Sequence, residues 1–96
     1  MRAKRVDQNH AEVVAEFRRL GASVIDLSRV GMGVPDLAAG MGQRMALVEV
    51  KRDAKARYTP AQLDFLTWWT GPKVCRVESL EHVRQVVEFL RTGEKQ

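Results

Sequence analysis

The run Val34-Pro35-Asp36 stands a hairpin's length ahead of Glu49-Val50-Lys51, and these two places hold the residue types best suited to chemistry. Side chains alternate along a strand, so Glu49 and Lys51 share one face with Leu47 while Val48 and Val50 point to the other. If the segment after Pro35 pairs beside that strand, Asp36 lies next to Glu49, giving two carboxylates with an ammonium at their side. Like charges at that range repel, so the arrangement needs a cation between the acids or a proton on one of them. Hard oxygen donors with open positions favour Mg²⁺ or Mn²⁺. Such a centre suits phosphodiester hydrolysis: the ion polarises a phosphoryl oxygen and lowers the pKa of a water, and the lysine orients that water or neutralises developing charge. The same letters also fit an edge hairpin with Asp36 at a strand start and an ordinary Glu49–Lys51 surface pair.

Other residues carry weaker signals. The 96-residue chain has a formal net charge of +4, and its basic residues are densest in Lys51-Arg52-Asp53-Ala54-Lys55-Ala56-Arg57, which raises local affinity for a polyanion. Arg52, Lys55 and Arg57 can grip phosphates and Tyr58 can stack on a base or sugar; a solvated loop opening a helix is the plainer reading. Gln62 fits a capping box with Thr59. Trp68 and Trp69 are neighbours that cannot both point inward from one helix, so one belongs to the core and one to an interface. Gly31-Met32-Gly33 precedes a strand and lacks a third glycine, which excludes a dinucleotide fingerprint and leaves a tight turn into Pro35-Asp36. Cys75 is the single cysteine, which excludes an intrachain disulfide, and its apolar strand reads as the home of a structural thiol. With only two histidines, structural zinc is excluded as well.

The elements that position these residues follow from periodicity. Val13, Val14, Phe17 and Leu20 recur at helical spacing over Gln8 to Leu20, with Asp7 available as N-cap and Gly21 as the stop. Ser23 to Ser28 reads as a first strand, Asp36 to Gly40 as a second, Met41 to Arg44 as a turn and Met45 to Lys51 as a third strand pairing back as a hairpin. Thr59-Pro60-Ala61-Gln62 supplies an N-cap, a first-turn proline and a capping-box glutamine for a helix through Leu63, Leu66 and Trp69, ended by Gly71-Pro72. Lys73 to Val77 is a fourth strand. Ser79 opens a last helix whose inner face is Val83, Val86, Val87 and Leu90. The expectation is one α/β domain over residues 1–96, with its core at about 6–91 and the order α-β-β-β-α-β-α. No apolar run approaches the roughly 20 residues that cross a bilayer, and Met1-Arg2-Ala3-Lys4-Arg5 leads into polar residues, so a cytoplasmic protein is expected.

That order, with Pro-Asp entering the second strand and Glu-x-Lys ending the third, resembles the restriction-endonuclease-like core of the PD-(D/E)xK nucleases, a mixed sheet flanked by helices. Within that superfamily the chain is most similar to small stand-alone virus-type replication-repair nuclease (VRR-NUC) domains, often carried by phages. The resemblance runs from about Val6 to Leu90. It is carried by Asp7-Gln8-Asn9-His10, Leu20-Gly21-Ala22-Ser23-Val24, Val30 to Leu37, Leu47 to Lys51, Thr59 to Gln62 and Val77-Glu78-Ser79.

The resemblance implies that Asp36, Glu49 and the Val50 carbonyl hold Mg²⁺, with Mn²⁺ as a substitute, and that Lys51 attends the water. It implies a glutamine near the metal from the following helix, here Gln62. It also implies an acid and a glutamine spaced three apart on the first helix, whose places are taken by Asp7 and His10. The helical wheel favours Asp7 over Glu12, which points away from the buried face; an N-cap role for Asp7 and a satisfied core-edge role for His10 stay open. Carried over from the family, the expected activity is a metal-dependent DNA endonuclease leaving a 5′ phosphate and a 3′ hydroxyl. It would act on branched DNA such as junctions or flaps, as a homodimer, in phage or bacterial replication, repair or recombination. The alternative is a non-catalytic nucleic-acid-binding accessory protein with a nuclease-like fold.

Overall fold

The structure, a computed structural model, describes the backbone of residues 2–94 and the side chains of residues 9–94. Its elements are α1 (Arg2–Arg19), β1 (Ser23–Asp26), β2 (Leu37–Met41), β3 (Arg44–Val50), α2 (Pro60–Trp68), β4 (Val74–Val77) and α3 (Leu80–Thr92). The strands form one sheet in the order β1-β2-β3-β4. The first two pairings are antiparallel and β3 with β4 is parallel. The expected order and the mixed sheet flanked by helices are both present.

Each face of the sheet is covered by different helices because the apolar positions alternate. Leu37, Ala39, Ala46, Val48 and Val77 meet Val13 and Phe17 of α1 and Val83, Val86, Val87 and Leu90 of α3 in the larger core. On the opposite face Ala38 and Leu47 pack under Phe65 of α2, with Leu27, Val34, Trp69 and Val74 around them. Strand parity therefore places Glu49 with Leu47, on the α2 side.

Helix ends explain the chain's turns. After α1 the amide of Ala22 donates to Phe17 O and that of Gly21 to Arg18 O, both at 3.0 Å. With Gly21 at φ +100°, this is a Schellman stop whose hydrophobic contact is Ala22 on Phe17. The β2–β3 hairpin turns in two residues, with Gly42 at φ +58° and Met41 paired to Arg44. Arg44 then reaches the other end of the fold, donating to Leu90 O at 3.3 Å and Arg91 O at 3.1 Å, and so caps α3 from the hairpin. Glu16 is buried beneath Arg19 and Arg84, an ion-pair tie between α1 and α3.

Several expected boundaries are corrected. The first helix starts at Arg2, not Gln8, so Asp7 sits inside the helix and is not its N-cap; polar residues with no apolar stripe carry that first stretch, which periodicity cannot see. Its side chain lies outside the described residues. The first strand ends at Asp26 because Asp26 Oδ1 turns back to accept from the Ser28 amide and hydroxyl, at 2.8 and 2.6 Å. The second begins at Leu37, one residue after Asp36, and the third runs from Arg44 to Val50. The fourth strand starts at Val74, and α2 ends at Trp68 with Trp69 as its cap.

Candidate active site

The β2–β3 ladder ends at the pair Leu37–Val48, and beyond it the strands separate. The Val50 amide has no strand partner on that side. Asp36 Oδ2 takes its place, accepting from Val50 N at 2.8 Å, while the Asp36 carbonyl accepts from Leu27 N at 2.7 Å and holds the entry to β2 beside β1. The approach is set by Gly31, Met32 and Gly33, all at positive φ. Gly33 lies so close to α2 that a Cβ there would stand 2.1 Å from Ala61 O, so only glycine permits the contact. The loop delivering Asp36 and the start of α2 are thus packed backbone to backbone.

Glu49 projects from β3 toward this junction and is 4% exposed. Its Oε2 accepts from Gln62 Nε2 at 2.8 Å and lies 3.6 Å from Lys51 Nζ. Burial pushes the Glu49 carboxyl up to about 7, the neighbouring Asp36 charge pushes in the same direction, and Lys51 opposes both. Lys51 Nζ is held by Gln62 Oε1 at 2.9 Å and by Arg57 O at 3.2 Å, and stands 5.2 Å from the centre of the Tyr58 ring. The Gln62 side chain meanwhile closes the capping box, its Oε1 accepting from Thr59 N at 2.9 Å while Thr59 Oγ1 accepts from Gln62 N at 3.1 Å. The same side chain thus serves the capping box and reaches Glu49 and Lys51.

Asp36, Glu49, Val50, Lys51 and Gln62 line one cleft of about 440 Å³ together with Asn9, His10, Arg52 and Ala56. His10 reaches this cleft from α1, but its Nε2 is buried without a hydrogen-bond partner, the nearest acid being Asp26 Oδ2 at 3.4 Å in a geometry that makes no hydrogen bond. Among the described residues no group of three or more His, Cys, Asp or Glu side chains gathers to hold a metal ion. The cleft's carboxylates are instead the pair Asp36 and Glu49, with the amide side chains of Asn9 and Gln62 beside them. Lys55 and Arg57 are exposed beside it. Tyr58, expected to meet nucleic acid, is half-buried against Lys51 and Arg76.

Two contributors were not singled out from the sequence. Asn9 Nδ2 donates to Lys51 O at 3.4 Å, bringing α1 onto the end of β3; its position one residue before His10 on the inward face was the available signal. Arg76 faces Glu49 across the parallel β3–β4 pair, a neighbourhood that no local pattern encodes.

No family model matches the sequence, and no curated protein is recognisably similar to it. Among solved structures, one described as a VRR_NUC domain superposes with a TM-score of 0.70 at 29% identity, covering 86% of this chain and 94% of that one. By fold the chain is similar to a VRR-NUC domain. In this VRR-NUC fold the acids, the lysine and the glutamine come from the Asp36 loop, β3 and α2. The remaining apolar outlets face away: Trp69 stacks on Phe65 with ring centres 5.2 Å apart and donates from its indole to Pro72 O at 2.8 Å, while Trp68 stays 58% exposed. Cys75 packs partly buried against the larger core, its thiol pushed up by burial.

Proposed function

We propose that the chain is a metal-dependent DNA endonuclease that hydrolyses phosphodiester bonds. The observation that carries this reading is the enforced proximity of two acids: Glu49 is buried beside Asp36, so strongly disfavoured as an anion that its carboxyl is pushed up to about 7. A fold that merely needed a filled cleft would place an apolar residue there. A site that receives a divalent cation needs both charges.

Asp36, Glu49 and the main-chain carbonyl of Val50 are the oxygen donors that would hold Mg²⁺, or Mn²⁺ in its stead, and an all-oxygen set of this kind suits a hard cation that keeps several waters. When bound, the ion supplies Lewis acidity at the phosphoryl oxygen and lowers the pKa of a water. Lys51 then orients the attacking water or offsets charge developing on the phosphoryl group, from an ammonium already fixed by Gln62 and Arg57. Gln62 keeps Glu49 and Lys51 in register. In-line attack on phosphorus with loss of the 3′ oxygen leaves a 5′ phosphate. Arg52, Lys55 and Arg57 border the cleft and meet the phosphate backbone, and His10 and Asp7 are the α1 residues proposed to assist.

The preferred substrate is branched DNA, a junction or a flap, with recognition resting on backbone and shape. A homodimer joined through the apolar surface that includes Trp68 would set two sites against one symmetric branch. The proposed setting is phage or bacterial replication, repair or recombination.

The test incubates the protein and its Glu49→Gln variant with labelled four-way junction, flap and duplex DNA in Mg²⁺, Mn²⁺ or EDTA. Metal-dependent cleavage lost in the variant is the expected result. DNA binding without cleavage in any metal would overturn the nuclease reading in favour of a non-catalytic accessory protein. Sedimentation of the native chain against Trp68→Lys tests the dimer, with a monomer in both counting against it.

A further inference from the structure

Arg76 lies on β4 opposite Glu49 and on the same face of the sheet. Its Nη2 donates to Ala56 O at 2.6 Å and Asp53 O at 3.0 Å, its Nε pairs with Glu78, and its Cζ stands 5.2 Å from the centre of the Tyr58 ring. With a longer contact to Ala54 O at 3.5 Å, one guanidinium thus grips the segment that follows β3 at three carbonyls and at its aromatic end. Lys51 is seated on the same segment: its Nζ takes Arg57 O, the carbonyl next to that of Ala56, and stands over the same Tyr58 ring. The segment has its own local closure, since Asp53 Oδ1 accepts from the amides of Lys55 and Ala56 at 2.9 and 3.0 Å. The contribution of Arg76 is therefore to dock a preformed turn, and the planar fork of a guanidinium is what can hold several carbonyls in one geometry.

We propose that Arg76 is a positioning residue that sets the Lys51 ammonium through the docked 53–58 turn and Tyr58. This deepens the nuclease reading above and rests on it. The hydrogen bonds and ion pair of Arg76 go to Glu78 and to the turn rather than to Asp36 or Glu49; it acts on Lys51 at one remove. Displacing a reacting group by about 1 Å can cost on the order of a hundredfold in rate, and this loss falls on kcat, while Lys55 and Arg57, carried on the same turn, report any loosening in KM.

The experiment has two arms. In the first, Arg76→Gln and Arg76→Lys are assayed with Mg²⁺ on the DNA that the native protein cuts best. Both are expected to lose roughly tenfold to a hundredfold in kcat, beyond any change in KM that arises from Lys55 and Arg57 on the same turn, because neither Gln nor Lys has the guanidinium fork and Lys alone keeps the charge. Full activity in Arg76→Lys would show that charge alone is used and would overturn the positioning role. In the second, ¹³C-lysine-labelled protein is examined by NMR without metal or DNA, with Lys51 assigned through Lys51→Met. The Lys51 side-chain signals are expected to move toward those of the exposed Lys55 in Arg76→Gln while the melting temperature stays within a few degrees. Signals that remain in place would overturn the proposal even in a variant that is destabilised. If the native protein cuts no DNA yet Lys51 still answers to Arg76, the nuclease reading fails and the structural relation between the two residues stands.

Discussion

Gln62 donates from Nε2 to Glu49 Oε2 at 2.8 Å, while its Oε1 accepts from both Thr59 N and Lys51 Nζ at 2.9 Å. One side chain therefore closes the first turn of α2 and spans the two charged residues of β3. Gln62→Ala is expected to lower stability by about 1 kcal/mol through the lost cap, and to reduce cleavage by more than that loss of folded protein explains. Urea unfolding beside kcat separates the two effects. Gln62→Glu keeps an acceptor for Thr59 but turns a like charge on Glu49, so it should retain the cap and still lose activity.

The pH dependence of stability follows from two glutamates with opposite signs. Glu49 sits at about 7 in the fold against an ordinary 4.5, so the fold holds that proton more tightly than the unfolded chain. Its contribution is fully present below about 4.5 and is lost as the pH rises through about 7. Glu16, drawn down to about 2 mainly by its hydrogen bond to Arg19 and further by Arg84, works the other way. Its support is present above 4.5 and disappears as the pH falls toward about 2. In EDTA, urea unfolding between pH 5 and 8 should show declining stability for the native chain and a flatter profile for Glu49→Gln. A native profile that is flat over that window would contradict the buried anion.

Two glycines at positive φ should respond differently to one added methyl. At Gly33 the Cβ would meet Ala61 O at 2.1 Å with φ +79°, whereas at Gly42, φ +58°, nothing lies within 4 Å. Gly42→Ala should cost about 1 kcal/mol, the strain of the left-handed backbone alone. Gly33→Ala should cost several times that, or part the Asp36 loop from α2 and abolish activity. Equal midpoints in urea for the two variants would mean that the loop and helix are not in contact.

Phe65 is the one buried residue of α2, so the apolar hold of the helix on the sheet rests on one side chain with Trp69 stacked on it, beside the polar tie from Gln62 to β3. Phe65→Ala is expected to cost about 3–5 kcal/mol and to loosen α2 ahead of the α1–α3 side. Hydrogen exchange would show the α2 amides losing protection first, with activity falling in parallel.

Much of this was readable in advance where short-range rules decide. Strand alternation put Glu49 and Lys51 on one face, and Thr59-Pro60-Ala61-Gln62 marked the start of α2 because capping boxes and first-turn prolines are local devices. The double duty of Gln62 was visible only as two competing explanations, since nothing in the letters says that a capping side chain can also reach a strand. Arg76 escaped notice altogether: its neighbours depend on β4 lying parallel to β3 in one register, a long-range pairing without a local signature. The start of α1 was missed for the opposite reason, as Arg2 to Asp7 form helix without presenting an apolar stripe to be counted.

Asp36 completes the hydrogen bonding of β3 where β2 has already departed, its carboxylate standing in for a strand at the Val50 amide. The customary way to silence such a residue, replacement by alanine, would thus strip a main-chain donor of its acceptor as well as remove a charge. Any inactivity in Asp36→Ala would mingle a frayed strand end with missing chemistry. Asparagine keeps an oxygen in place for Val50, which makes Asp36→Asn the cleaner inactive control and Asp36→Ala a probe of how the sheet edge is sealed.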